Sequence, residues 1–282
     1  GASKMKILKN LLKSPFFVIG MGLFLVTILL ALFAPLFYHV DIHTRVGAAY
    51  MNPGSKYLLG TDHMGIDMFS LLLEGLRSSL YVGFMAGIIA TVIGTFLGVY
   101  AGFKGGWIDD FITMITNLFI VIPQFVILIL VSASMKEGRS LSLIAILIGL
   151  TGWTWSARAV RAQAASLKSR DHISLAKVNG VKTLGIVMMH ILPYLMSYVF
   201  MVFIMQTASG ILSEASISMI GLGPFDTVSL GTILNQAMRS EALTDGAWWA
   251  FIPAMILVTV ISFALYLINT SMEGVFNPRL RK

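Results

Sequence analysis

Residues 158–193 read RAVRAQAASLKSRDHISLAKVNGVKTLGIVMMHILP. Six cations, Arg158, Arg161, Lys168, Arg170, Lys177 and Lys182, stand against one acid, Asp171. Charge-free apolar runs flank the segment, so it is the long polar interruption in an oily half-chain. Ala, Leu, Lys, Arg and Gln dominate it, which favours short helical pieces. Asn179-Gly180 ends the first piece, because Gly, and less often Asn, takes the left-handed conformation that closes a helix. Taken alone, the segment reads as a basic cytoplasmic loop that orients the spans around it.

Composition makes the surroundings a membrane. Of 282 residues, 57% are hydrophobic and 12% charged, with mean hydropathy +0.84. Soluble domains carry roughly 25% charged residues. The chain is therefore read as an all-α, polytopic membrane protein whose apolar surface meets lipid. The net charge of +7 sits in loops between apolar runs, so no nucleic-acid partner is expected. With no cysteine, disulfides and thiolate metal sites are excluded. The five histidines show no pair at metal-ligand spacing, so no metal centre is expected. No GxxxxGK[ST] phosphate loop occurs, so any ATP chemistry belongs to another chain.

Gly1-Ala2-Ser3-Lys4 ahead of Met5 reads as an expression remnant, with Met5 the expected natural start. Residues 1–14 form a basic tail, and 15–38 a first span, an uncleaved anchor rather than a signal peptide. Residues 39–77 are polar and turn-rich and read as an extracytoplasmic loop. A core of five further spans covers 78–272, with the basic loop 158–193 inside it, and 273–282 is a second tail. The second span, about 78–103, carries Gly83, Gly87, Gly94, Gly98 and Gly102 on one helical face, a pattern for close helix packing. Asp109-Asp110 reads as a solvated turn or a helix cap, not acid–base chemistry.

The third span is expected at about 111–135, with Asn117, Val121, Gln124 and Leu128 on one face. Polar groups in a span usually face the bundle. Asn117 and Gln124 are therefore either path-lining residues or interhelical hydrogen-bonders. Residues 136–139 make a tight outer loop, 140–157 a shorter fourth span. The fifth apolar run, about 190–222, places Gln206, Ser209, Gly210, Ser213 and Ile217 on one face. Glu214 is its one charged residue, assigned either to helix–helix bonding or to the path. Residues 223–247 form an outer loop, and 248–272 the sixth span. With the N-terminus inside, fourteen Lys and Arg fall on the cytoplasmic side and six outside, which fits positive-inside orientation.

The order of motifs resembles one family throughout residues 15–281. Ser174-Leu175-Ala176, Gly180 and His190-Ile191-Leu192-Pro193 fall in the frame of the EAA loop of ABC importer permeases. That frame is Glu-Ala-Ala, three residues, Gly, nine residues, then an Ile-x-Leu-Pro-like ending. Ala176, Gly180, Leu192 and Pro193 match, whereas Ser174 and Leu175 depart. Leu59-Gly60-Thr61-Asp62, Gly65-Ile66-Asp67 and Arg77-Ser78-Ser79-Leu80 resemble the LGTDxxGRD…ARxSL stretch of the dipeptide/oligopeptide/nickel branch, with Ile66 for Arg. Ala101-Gly102 to Asp109 resembles its AGxxGGxxD connection. Glu214-Ala215-Ser216 with Ser218 and Gly221-Leu222-Gly223 resembles its E-A-x-L-S-F-L-G-L-G. Asn277-Pro278-Arg279-Leu280-Arg281 resembles its D-P-R-L-R tail. Met114 and Asn117 stand where the branch usually has Arg and Asp, and Leu230 where it has Trp.

This resemblance implies a six-helix type I importer permease with both termini cytoplasmic, in the cytoplasmic membrane of a prokaryote. It implies no catalysis and no bound cofactor in this chain. ATP and Mg would sit on two ABC ATPase subunits. Further implied partners are a second permease, forming a heterodimer, and an extracytoplasmic substrate-binding protein. Arg170, Asp171, Ser174, Leu175, Ala176, Asn179, Gly180, His190 and Pro193 become the ATPase-coupling loop. Asn117, Gln124, Gln206, Ser209, Ser213 and Glu214 become the expected path residues. Peptides are the expected cargo, with oligosaccharides or nickel chelates as alternatives in the same class, and a stand-alone passive channel as the other class. A membrane-embedded enzyme lacks any His/Asp/Ser arrangement at catalytic spacing.

Overall fold

A computed structural model describes residue 7, residues 9–135 and residues 137–276. Met5, Lys136 and the tail from Asn277 lie outside them. Among the described residues the chain is helical, with one isolated β-bridge between Thr61 and Asp67. Among the described residues, five helices are long and apolar enough to cross a membrane, and a bent pair supplies a sixth span if it is counted as one.

Helix α1 is Pro15–Phe37. Ser14 caps it, with Oγ accepting from the Phe17 N–H at 3.4 Å, and Pro15 needs no hydrogen-bond partner in the first turn. Much of its surface is open hydrocarbon, such as Phe16, Val26, Leu29 and Leu32, as a lipid-facing helix requires.

Helix α2, Met68–Lys104, begins ten residues before the expected span. Glu74 and Arg77 interrupt the apolar run and hide the helix start, yet a three-residue spacing puts them side by side on its surface. The start is set by Asp67, fully buried, whose Oδ2 accepts from Ser70 N at 2.9 Å and whose Oδ1 accepts from the Tyr38 hydroxyl at 2.9 Å. At 37 residues, α2 is about 55 Å long, well beyond the ~30 Å hydrocarbon layer.

The glycine face of α2 packs as expected, but against two neighbours in turn. Gly83 and Gly87 meet Ile211 and Thr207, while Gly94, Gly98 and Gly102 meet Ser156, Ala157 and Arg161. A Cβ at Gly94 would stand 2.7 Å from the Trp153 carbonyl oxygen, and one at Gly102 would stand 2.5 Å from that of Arg161. This lets α5 (Leu141–Leu167) run backbone to backbone with α2.

The expected third span is two helices, α3 (Gly106–Val121) and α4 (Gln124–Ser134), bent by 80°. Pro123 causes the break. It has no N–H to donate, and it forces Ile122 out of the helical region to φ −95°, ψ 110°. Asn117 and Gln124 therefore do not share a face.

Helix α5 continues ten residues past the expected end at 157, because nothing between Arg158 and Leu167 breaks a helix. The basic segment follows as α6 (Asp171–Val178), α7 (Thr183–Ile186), a π turn at Val187–Ile191 and α8 (Leu192–Met219). Pro193 does not end the loop. It sits inside a helical run from Thr183 to Met219 that widens into the π turn just before it, where the proline N–H is missing. The expected outer loop 223–247 contains α9 (Leu230–Arg239), opened by a reciprocal Ser229/Thr232 cap. The last span is α10, Ile252–Phe276.

Three apolar clusters hold these helices. The largest joins α1, α2, α8, α9 and α10 through Leu76, Ile211, Leu230 and Ile261. A second joins α2, α5 and α8 to α6 through Val99, Val160, Ile173 and Ile191. A third joins α2, α4, α5 and α8 through Val82, Leu128, Ile148 and Ile217.

Candidate functional site

The polar segment folds as a short hook. Arg170 is extended and Asp171 opens α6, where a carboxylate suits the positive end of the helix dipole. Lys177 lies in the last turn. Gly180, at φ +75°, donates to the Lys177 carbonyl at 3.0 Å, and Val181 donates to that of Ala176 at 3.1 Å. This pair of bonds is the Schellman closure, and only a residue at ease with positive φ completes it.

Eight residues do not hold a helix by themselves in water. α6 is held by its inner face. Ile173 and Ala176 are buried among Phe103, Val160, Ala164, Ile186, Val187, Ile191 and Leu195. Full burial of a side chain such as Ile173 contributes about 1.5–3 kcal/mol. Lys177 Nζ lies 5.0 Å above the Phe103 ring, and the His172 ring stacks on Tyr194 at 4.7 Å. His190 is half-buried in the π turn and Pro193 is exposed.

The outer face is different. Arg170, Ser174, Leu175, Asn179 and Gly180 are open, and Leu175 and Val178 are 64% and 85% exposed. Leu184 and Met189 extend this apolar surface. The loop residues named from the sequence thus divide. Ala176 roots the hook, whereas Ser174, Leu175 and Asn179 face outward. A capped helix with one face seated on α2, α5 and α8 is packed to move with them as one body. It can carry a push on its outer face into the spans.

The six expected path residues also divide. Gln124 donates to the Thr151 hydroxyl at 2.9 Å and the Ile148 carbonyl at 3.2 Å, tying α4 to α5. Gln206 is buried and donates to the Ser156 hydroxyl at 2.6 Å and the Gly152 carbonyl at 2.9 Å, tying α8 to α5. Glu214 is fully buried and accepts from Ser218 at 2.5 Å and from Ser79 at 3.3 Å. Ser79 in turn accepts from the Leu230 N–H, the first of α9. Asn117 lies open on α3, where its Oδ1 accepts from Arg158 at 3.0 Å. Ser209 is exposed and Ser213 half-buried. The burial boundary runs lengthwise through the stripe read on α8: Gln206, Gly210 and Ile217 are inside it, Ser209 and Ser213 outside.

Some ties escaped the sequence reading. Arg139, expected in an outer loop, is buried. Its guanidinium donates to the carbonyls of Ser132 at 3.0 Å, Gly223 at 3.2 Å and Gly221 at 3.4 Å, and lies 4.1 Å above the Phe225 ring. Asp109 is neither a free turn residue nor a simple cap. It pairs with Arg161. Trp249 Nε1 donates to the Thr61 carbonyl at 3.0 Å, pinning the 39–67 segment to the start of the last span. Basic residues beside apolar runs were the available signal, but spacing alone does not name their partners.

Comparison with known proteins bears on this geometry. Residues 94–282 match the family model described as binding-protein-dependent transport system inner membrane component. Residues 5–53 match that of the N-terminal TM domain of oligopeptide transport permease C. The oligopeptide transport system permease protein OppC of Bacillus subtilis is 30% identical over 94% of this chain and 86% of its own length. The dipeptide transport system permease protein DppC of the same organism is 28% identical over 97% and 85%. OppC of Mycobacterium tuberculosis H37Rv is 29% identical over 74% and 72%.

Proposed function

Since the chain belongs to the family of binding-protein-dependent transport system inner membrane components, we propose that it is the permease subunit of an ATP-driven peptide importer in a bacterial cytoplasmic membrane. The peptide assignment rests on similarity to proteins named for oligopeptide and dipeptide transport. In this reading the chain is non-catalytic. Two ATPase subunits hold ATP and Mg, a second permease completes a heterodimeric path, and an extracytoplasmic binding protein delivers cargo. The N-terminus and the α6 hook lie in the cytoplasm, as the distribution of Lys and Arg favours.

One observation carries the coupling assignment. α6 is seated by Ile173 and Ala176 while Leu175 and Val178 stand open. Apolar side chains left exposed outside the spans mark a contact surface. Closure of the ATPases pushes on that surface, the hook moves as one body with α2, α5 and α8, and the path opens alternately to each side.

The test is reconstitution of the chain with its genomically neighbouring permease, ATPases and binding protein in vesicles. ATP-dependent uptake of labelled di- and tripeptides is the expected result. Uptake of oligosaccharide or nickel chelate instead reassigns the cargo. Uptake without ATP, with no ATPase co-purifying, makes the chain a passive channel and overturns the reading.

A further inference from the structure

A cation on a membrane helix is costly unless something answers its charge. Arg158 of α5 is such a cation. It is exposed, and its guanidinium donates to Asn117 Oδ1 at 3.0 Å and to the Thr116 carbonyl at 3.5 Å, both neutral. Among the described residues no carboxylate pairs with it, since Asp109 is held by Arg161. Asn117 stands where the permease branch usually has Asp. An acid at that position would reach Arg158 as the amide does, but here the charge stays whole.

Arg158 opens on a cleft of about 220 Å³ between α3 and α5. Phe119, Ile120 and Trp155 wall it, and Thr154 adds a hydroxyl. The Gln124 amide at its far end is already spent on Thr151 and Ile148. At ~1.5 Å per residue, Arg158 stands ~26 Å along α5 from Leu141. That is close to the edge of a ~30 Å hydrocarbon layer on the side of the α6 hook. Trp155, exposed beside it, is a residue type that settles at this edge. One turn of α3 nearer the bilayer centre, Ile120, Val121 and Ile122 are open hydrocarbon.

This order selects the occupant. Water alone is a poor partner for the exposed collar of Ile120, Val121 and Trp155. A peptide needs more room, since organic ligands occupy sites of ~300–1,000 Å³. A neighbouring helix without an acid would bury the charge unanswered. A phospholipid presents its groups in the sequence the cleft does. Its phosphate meets the guanidinium, its glycerol esters meet the Thr154 hydroxyl, and its acyl chains run along the open face of α3. Basic pockets between spans hold anionic head groups in this manner.

We propose that the Arg158 cleft binds the phosphate of an anionic phospholipid in the leaflet nearer the α6 hook. The proposal is independent of the cargo.

The test is native mass spectrometry of the chain, purified with the subunits that accompany it and loaded with phosphatidylglycerol and phosphatidylcholine of the same acyl chains. The parent should hold at least one phosphatidylglycerol that phosphatidylcholine displaces only at about fivefold excess. Arg158→Gln should carry one fewer such lipid, and Arg158→Lys should keep it. Asn117→Asp is the sharper variant. It leaves Arg158 in place but answers its charge from within the chain, and it should lose the same lipid. Arg77→Gln removes a cation near the opposite end of α2 and should change nothing. Diazirine-tagged phosphatidylglycerol should label α3 and α5 around Ile120 and Trp155.

A parent that binds the two lipids alike overturns the proposal. So does an unchanged phosphatidylglycerol count in Arg158→Gln or Asn117→Asp. Displacement of the lipid by trialanine would assign the cleft to cargo instead. Label confined to another subunit or to other spans would place the cleft under a neighbouring helix, and would overturn the proposal as well.

Discussion

Arg161 grips Asp109 with both nitrogens of one guanidinium edge. Nη2 donates to Oδ2 at 2.8 Å, and Nε donates to Oδ1. The pair joins the first turn of α3 to the extension of α5 that leads into the α6 hook. Both side chains keep some contact with solvent, which limits the energy of the pair. Asp109→Ala and Arg161→Ala, combined in a double-mutant cycle, should show a coupling of about 1 kcal/mol in thermal unfolding of the purified chain. Strict additivity would mean that the contact contributes nothing.

The glycine face of α2 separates packing from propensity. Gly94→Val drives a branched side chain into the Trp153 carbonyl and Ser156, and α2 and α5 must part. A loss of about 3 kcal/mol or failure to assemble is expected. Gly22 of α1 has nothing within 4 Å of a Cβ position. Gly22→Ala should be neutral or stabilising by about 0.5–1 kcal/mol. Denaturation curves for the two variants that moved alike would refute the packing account.

Arg139 holds the end of α4 to the turn after α8 through carbonyl oxygens. Arg139→Met keeps much of the stem and strands those acceptors, at a cost of about 3 kcal/mol. Arg139→Lys should recover part of the loss, since one ammonium cannot reach all three carbonyls in a fixed fork. Amide exchange across 221–226 is the local readout and should quicken in the Met variant.

Gly180 makes the hook rigid. Gly180→Val forces a branched side chain to φ +75° and should cost about 1–2 kcal/mol at that turn, with Asn milder because it visits this region. The expected result is faster exchange at the Val181 amide and reduced stimulation of ATPase activity by loaded binding protein. Unchanged stimulation with faster exchange would show that coupling does not need the closure.

Tyr50 links the 39–67 segment to the turn after α9, its hydroxyl donating to the Ser240 carbonyl at 2.9 Å. Burial raises its pKa above the ordinary tyrosine value, and the carboxylates of Asp245 and Asp62 add to this. A raised folded value means the neutral phenol is the form the fold favours. Its contribution is complete below the ordinary tyrosine pKa and is lost as pH climbs through the folded value. Tyr50→Phe should therefore narrow its stability gap to the parent in strongly alkaline buffer, measured by unfolding at several pH values.

The character of the chain was legible without coordinates. Apolar runs and the distribution of charge announce membrane helices, and the order of the motifs places the hook between the fourth and fifth spans. Gly180 was readable as a helix closer because its conformational preference is local. The glycine stripe was readable as a packing face because a helical period is local too. Helix ends were less legible. Glu74 and Arg77 broke the hydropathy of α2 without breaking its hydrogen bonds, and Pro123 broke hydrogen bonds without changing hydropathy.

Which polar residue meets which was decided only by packing. Gln124, Gln206 and Glu214 look alike to Ser209 and Ser213 in a linear reading, since each is a polar group in an apolar run. The approach of α5 to α4, and of α2 and α5 to α8, turns three of them into interhelical ties and leaves Ser209 and Ser213 outside the packed face. Arg139 and Asp109 found their partners in the same way, across separations that no local pattern encodes. Periodicity belongs to one helix, but the burial of a side chain depends on the neighbour that covers it, and that neighbour is set by the whole fold.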